Sequence, residues 1–291
     1  KNNTLRGDNK QFNILMTVGG GGRSNGFPSL TNDRDKRQKL IEDLRAICIR
    51  ENLDGVDFDW EQPRSQEEVV NYALLVVGTA NVFHASGLLV TIALHAQQPF
   101  PGQVFQFVDR VHLMTYDMLT ALSEGETTYG YHASYDKTVA AVEDLIKSGC
   151  PPYKIALGIP AYARSKKSPM NVMTYSEIVD EIMAGEEEEA VPSLDGFWNV
   201  DSHKDFHFDS PKMISKKVKY AEDRGLAGVF FWELGQDKQL DGEGGFLVEA
   251  AARAAAGKDK DTFSTDNGEN EKDPVPFDDE KGKEAPDKSE L

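Results

Sequence analysis

The chain has 291 residues, 39% of them hydrophobic, so one large domain or two ordinary ones could bury a core. A formal charge of -17 at pH 7 leaves no basic surface for phosphates, which excludes nucleic acid as a natural partner and is compatible with a neutral polysaccharide. No run of about 18 apolar residues exists, so no membrane span is expected.

The first strand-like segment is Phe12 to Val18, followed by a helical pattern from about Asp33 to Glu51. Next comes the most informative run, Leu53-Asp-Gly-Val-Asp-Phe-Asp-Trp-Glu61. Side chains alternate faces along a strand, so Asp57, Asp59 and Glu61 project one way while Val56, Phe58 and Trp60 project the other. Carboxylates roughly 7 Å apart on one buried face repel unless they share protons. The apolar row suits a helix-covered face, and the acidic row suits the interior and mouth of a parallel barrel, with Glu61 on the catalytic side. Asp57 and Asp59 are expected to hold one proton between them, and a charged Asp59 to raise the proton affinity of Glu61, a candidate general acid.

Ser65 and Glu68 form a capping box that opens a helix running to about Ala85. Strands follow at Leu88 to Ala93 and Arg110 to Met114, a helix at Asp136 to Ser148, and a strand at Lys154 to Ile159. The stretch from Arg164 to Ser210 holds a helix near Tyr175 to Ala184, the run Glu186 to Glu189, read as a solvated loop, and a hairpin near Trp198 to Phe208. Ser210-Pro211 opens a helix reaching Arg224, Ala227 to Phe231 is the last strand, and Gly244 to Ala256 the last helix. Alternating strands and helices predict an α/β fold with a parallel sheet. Six units are visible where a closed (β/α)8 barrel needs eight, so the barrel is expected to be truncated at its N-terminus, part of a longer precursor. From 258 to 291 the chain is a disordered acidic tail, because its apolar content cannot offset the entropy of ordering; residues 1–257 form the partial barrel domain. Cys48 and Cys150 fall in separate helical patterns and fit no metal or redox spacing, so buried thiols are expected. The six histidines show no ligand pairing, so no metal and no cofactor is expected.

Asp54-Gly55-Val56-Asp57-Phe58-Asp59-Trp60-Glu61 resembles the Asp-Gly-x-Asp-x-Asp-x-Glu signature of glycoside hydrolase family 18, the chitinases and endo-β-N-acetylglucosaminidases. Thr17-Val18-Gly19-Gly20 is similar to the Ser-x-Gly-Gly ending that family's third barrel strand, and Met114-Thr115-Tyr116-Asp117 to the Met-x-Tyr-Asp of its sixth. Gly158 to Arg164 and Gly228 to Glu233 are similar to the ends of its seventh and eighth strands, so the resemblance covers roughly residues 12 to 256. It implies a TIM barrel with Glu61 protonating the leaving oxygen while the sugar's own 2-acetamido carbonyl attacks the anomeric carbon. It further implies that Asp59 orients the acetamido N–H, that Asp57 tunes Asp59, and that Tyr116 donates to the acetamido carbonyl. Asp117 would bind the substrate, Trp232 would floor the sugar subsite, and Met114 would pack beneath. Tyr162 and Arg164 would line the cleft, and Gly19 and Gly20 would permit close backbone approach. The stretch after Arg164 looks short for the extra α+β domain of some members, which implies a shallower groove.

The implied activity is hydrolysis of β-1,4-N-acetylglucosaminide bonds in chitin or chito-oligosaccharides by a monomer. Cleavage of the chitobiose core of N-glycans shares the acid motif, and a non-catalytic lectin of the same fold is a third reading, disfavoured because Glu61, Asp59, Asp57 and Tyr116 are all present. The end Lys288-Ser-Glu-Leu291 resembles an endoplasmic-reticulum retrieval signal, which places the protein in the secretory pathway, outside the cell or in that lumen.

Overall fold

The computed structural model describes residues 12–119, 129–184, 196–239 and 245–258. The expected acidic tail beyond 258, the Glu186 to Glu189 run and the Lys288 to Leu291 end lie outside the described residues. Strand β1 (Leu15–Gly19) leads through a short helix α1 (Phe27–Thr31) and α2 (Arg34–Glu51) to β2 (Gly55–Asp59). Helix α3 (Gln66–His84) returns to β3 (Leu89–His95), and a 3-10 turn, Gly102–Gln106, crosses to β4 (Arg110–Met114). Helix α4 (Tyr135–Lys147) precedes β5 (Ile155–Pro160). Between β5 and the last strand come β6 (Tyr162–Ser165), β7 (Val172–Thr174), α5 (Tyr175–Met183), β8 (Ser202–His203), β9 (Phe206–His207) and α6 (Pro211–Asp223). The chain then forms β10 (Gly228–Trp232) and α7 (Phe246–Ala255).

Local chemistry accounts for the helix starts. The Asp33 carboxylate accepts from the backbone N–H groups of Asp35 and Lys36 at the head of α2, and the Ser210 hydroxyl accepts from Met213 ahead of Pro211 in α6. At α3 the Ser65 hydroxyl accepts from Glu68 N–H as expected, but the Glu68 carboxylate accepts from Arg64 N–H, one residue before the cap, so the box closes on the preceding residue. An unforeseen box opens α5, where Thr174 and Glu177 cap each other.

The strands β1, β2, β3, β4, β5 and β10 form one parallel sheet in that order. Six parallel strands are what the sequence predicted, and they leave β1 and β10 as its two edges among the described residues. The region after β5 departs from expectation. The hairpin near 198–208 exists as β8 and β9, yet it joins β6 and β7 in a separate four-stranded antiparallel sheet, ordered β7, β6, β9, β8. Cys48 lies buried in α2 and Cys150 is buried just past α4 instead of inside a helix; both are free thiols.

The apolar row of β2 faces the helices and is sealed there. Val56 and Phe58 are fully buried, and the Trp60 ring stacks on Phe27 of α1 at 4.9 Å and tilts against Tyr72 of α3 at 5.4 Å. Tyr72 also donates its hydroxyl to the Phe58 carbonyl at 3.0 Å, which satisfies its polar end inside the core. A second anchor is electrostatic. Lys217 of α6 is wholly buried and donates to Asp209 Oδ2 at 2.6 Å and the Ala133 carbonyl at 2.7 Å, while Tyr131 donates to Asp209 Oδ1 at 2.7 Å. This cluster ties α6 to the segment that follows β4. Among the described residues no helix is long and apolar enough to cross a membrane.

Removing one member of a buried pair strands the other charge without water. Lys217→Ala is expected to destabilise the fold by about 3–5 kcal/mol, measured by urea unfolding. The double change Lys217→Met with Asp209→Leu is expected to recover most of that loss, because no unpaired charge remains.

Candidate active site

Strand register assembles the acidic face from β2 outward. Thr17 on β1, Asp57 on β2 and Thr91 on β3 are Cα partners, so their side chains form one row across the sheet. Asp57 accepts from Thr91 Oγ1 at 2.6 Å and Thr17 Oγ1 at 3.4 Å, and its Oδ1 lies 3.0 Å from His112 Nδ1. Asp57 is thereby buried with its lone pairs occupied.

Asp59 sits one level higher and is treated differently. It is only 5% exposed, and its Oδ1 has no hydrogen-bond partner among the described residues. Burial pushes its carboxyl up to about 7, and the neighbouring charges of Glu61 and Asp57 push the same way against His95 and His112. Hydroxyls and an imidazole serve Asp57, while Asp59 holds its proton more tightly than a free carboxyl.

The loop after β1 packs onto the end of β2. Gly20 donates its N–H to the Asp59 carbonyl at 2.7 Å, and Gly19 adopts φ +108°, where a Cβ would stand 2.1 Å from that same oxygen. Ser24 of this loop accepts from the Glu61 N–H at 3.0 Å, fixing the backbone of the candidate acid. The Glu61 carboxylate is partly exposed, and its Oε2 lies 3.0 Å from His95 Nε2 at the end of β3. That hydrogen bond raises the proton affinity of His95 against the opposing effect of burial.

Tyr116 and Asp117 follow β4. Tyr116 is buried, and burial with the charges of Asp59, Asp117, Glu61 and Asp57 raises its phenol, so it stays a hydrogen-bond donor. Its ring meets Tyr162 edge-on at 6.1 Å and Phe230 at 6.2 Å. Gly158 makes room for this, since a Cβ there would lie 2.8 Å from both Tyr116 and Phe230. Met114 packs in the same small cluster with Ala93 and Ala133.

Asp117, expected to bind the substrate, turns the chain at φ 56° and is a hub of protein contacts. Arg164 grips it in two places, Nε on Oδ1 and Nη2 on Oδ2 at 2.6 Å, and Tyr162 donates to Oδ1 at 2.8 Å. Burial pushes the Asp117 carboxyl up, but contact with His132, the Arg164 hydrogen bonds and charge, and the Tyr162 hydroxyl outweigh it and hold it well below the usual range. His132 is itself buried, which lowers its proton affinity; the Asp117 N–H donates to its Nδ1 at 3.3 Å. Tyr162 and Arg164 thus position Asp117. Trp232 stands 45% exposed at the end of edge strand β10, outside the core.

The histidines are scattered in sequence, yet His95, His112 and His132 all meet site carboxylates. Their signal was present in the alternation of strands: Thr91, Ala93 and His95 share one face of β3, and His112, Met114 and Tyr116 share one face of β4 and its extension. Among the described residues no group of three His, Cys, Asp or Glu side chains could hold a metal ion.

The sequence profile of Glycosyl hydrolases family 18 matches residues 1–237. The chain belongs to that family. It is 23% identical to "Endochitinase 1" of Metarhizium robertsii over 81% of this chain and 64% of that protein's length, so it spans less than two thirds of that relative. It is 26% identical to "Class V chitinase CHIT5a" of Medicago truncatula, over 80% of this chain and 72% of the relative. The fold is similar to the GH18 chitinase from Cycas revoluta solved in complex with (GlcNAc)3, with a TM-score of 0.72 and 25% identity across 87% of this chain and 83% of that one.

A carboxyl raised from 3.8 to about 7 binds its proton more tightly folded than unfolded, so its ionisation costs stability as pH rises through that window. Asp59→Asn, which cannot ionise, is expected to raise the melting temperature above that of the parent at pH 8, with the gain shrinking toward pH 4. Calorimetry across that range checks it; a constant difference would mean Asp59 ionises freely.

Proposed function

We propose that this site hydrolyses β-1,4-N-acetylglucosaminide bonds in chitin or chito-oligosaccharides, with retention and with the substrate's 2-acetamido group as nucleophile. The observation that carries the reading is the pairing of two unlike carboxyls: Asp59, buried with an unpartnered oxygen, and Glu61, at the mouth of the site and open to a ligand. Such an environment difference separates the roles of neighbouring acids. Family 18 is an exception to the two-carboxylate scheme, and one acid suffices when the sugar supplies the nucleophile.

In this reading Glu61 donates a proton to the leaving glycosidic oxygen as the acetamido carbonyl oxygen bonds to the anomeric carbon. The C–O bond to the leaving sugar breaks, and a bicyclic oxazolinium forms. Asp59 Oδ1, which has no partner among the described residues, accepts the acetamido N–H, and in its ionised form Asp59 offsets the positive charge in a water-poor site. Tyr116, held protonated and aimed by Tyr162 and Phe230, donates to the acetamido carbonyl oxygen. Glu61, now a carboxylate, takes a proton from the water that opens the ring and so returns to its starting state. Asp57 keeps the lower level of the site fixed, and Trp232 offers an exposed aromatic face to a pyranose. The six-stranded parallel sheet is read as the larger part of a (β/α)8 barrel, the form that places strand ends of this kind at a catalytic mouth.

Glu61→Gln is expected to keep the melting temperature and oligosaccharide binding while kcat on a fluorogenic chitobioside falls by about 10²–10⁴-fold. Retention of more than about a tenth of the activity would reject Glu61 as the acid. A second measurement addresses the nucleophile. An oligosaccharide lacking the N-acetyl group at the cleaved sugar should not turn over, and a thiazoline mimic of the bicyclic intermediate should inhibit competitively; equal rates on both substrates would exclude substrate assistance.

A further inference from the structure

His95 is the one side chain among the described residues that hydrogen-bonds the Glu61 carboxylate, and nothing in the acid motif calls for it. It ends β3 in register with Met114 of β4, and its backbone N–H donates to Gln98 Oε1 at 3.2 Å, so the imidazole is held at a fixed height beside β2. Both side chains keep partial contact with solvent, 30% for His95 and 25% for Glu61. The charged groups facing the imidazole are Glu61 beyond β2, Asp59 on β2 and Asp117 beyond β4, all carboxyls. The Arg164 guanidinium is engaged by Asp117 and the Pro169 carbonyl.

We propose that His95 is a positioning residue that holds Glu61 in place and keeps with it the proton that Glu61 donates. The inference rests on Glu61 being the general acid. Open to water, the proton of the pair rests on His95, whose proton affinity the Glu61 hydrogen bond raises. A sugar bound over Glu61 excludes water, and separated charges in a low dielectric cost more than the neutral pair. The His95 Nε2–H bond then breaks and the Glu61 Oε2–H bond forms, leaving a neutral imidazole and a protonated acid. No proton is gained or lost in the transfer. The proton thus reaches the oxygen that donates it only when the sugar is in place. The signature is specific. Because the pair titrates as one unit, the alkaline limb of kcat/KM reports loss of its shared proton.

The test compares His95→Asn and Glu61→Gln in the full chain. His95→Asn is expected to leave the melting temperature and KM for a fluorogenic chitobioside near the parent values. Its kcat should fall by at least about tenfold and the alkaline limb should move at least about one pH unit toward acid. In Glu61→Gln, the His95 imidazole followed by NMR should titrate at lower pH than in the parent, since its anionic partner is gone. That second readout needs no turnover and stands even if His95→Asn fails to fold. An unmoved alkaline limb in a folded His95→Asn, or an unmoved His95 titration in Glu61→Gln, overturns the proposal. An active Glu61→Gln would instead overturn the general-acid reading beneath it, so the two failures are told apart.

Discussion

Three acids at alternate positions, two on buried strand β2 and one just past its end, set the terms for everything around them. A carboxylate removed from water must be paired, hydrogen-bonded or neutral, and β2 has no polar solvent face to relieve it. The protein answers with three different environments. Asp57 is held by two hydroxyls and an imidazole, Asp59 is left short of partners so that burial raises its proton affinity, and Glu61 is brought out to a histidine at the mouth. One repeated chemical group is thereby divided into three.

Each environment depends on a neighbour in register. Thr17 and Thr91 can reach Asp57 because parallel pairing sets them level with it on either side. Around Asp59 the flanking positions are small. Gly19 is its partner on β1, and the level that carries His112 on β4 continues into Ala93, Ala156 and Gly228. The backbone of the loop after β1 closes the same region from above, which only glycine at Gly19 permits.

The far side of the site is held by a chain of charged contacts. Arg164, Tyr162 and His132 converge on Asp117, which carries the turn directly after Tyr116. His132 lies between Tyr131 and Ala133, both held by the buried Lys217–Asp209 pair. Helix α6 is thus joined to the position of Tyr116 through a rigid polar path, with β6 of the small antiparallel sheet supplying Tyr162 and Arg164. Strand β6, in the stretch after β5, is what fixes Asp117.

The sequence alone determined the alternation of β2, the parallel α/β class and most helix limits, because these follow from periods of two and 3.6 and from local caps. The acids Asp57, Asp59 and Glu61 were legible for the same reason, and Val56, Phe58 and Trp60 declared which face was buried. What could not be read was anything set by pairing between distant segments. The histidines looked scattered because 34 residues separate His95 from Glu61 and 55 separate His112 from Asp57. Parallel neighbours are always far apart in sequence, since a crossover must intervene. The proton affinity of Asp59 was likewise a tertiary outcome: three equal carboxyls in sequence become unequal only when burial and register decide which of them receives partners.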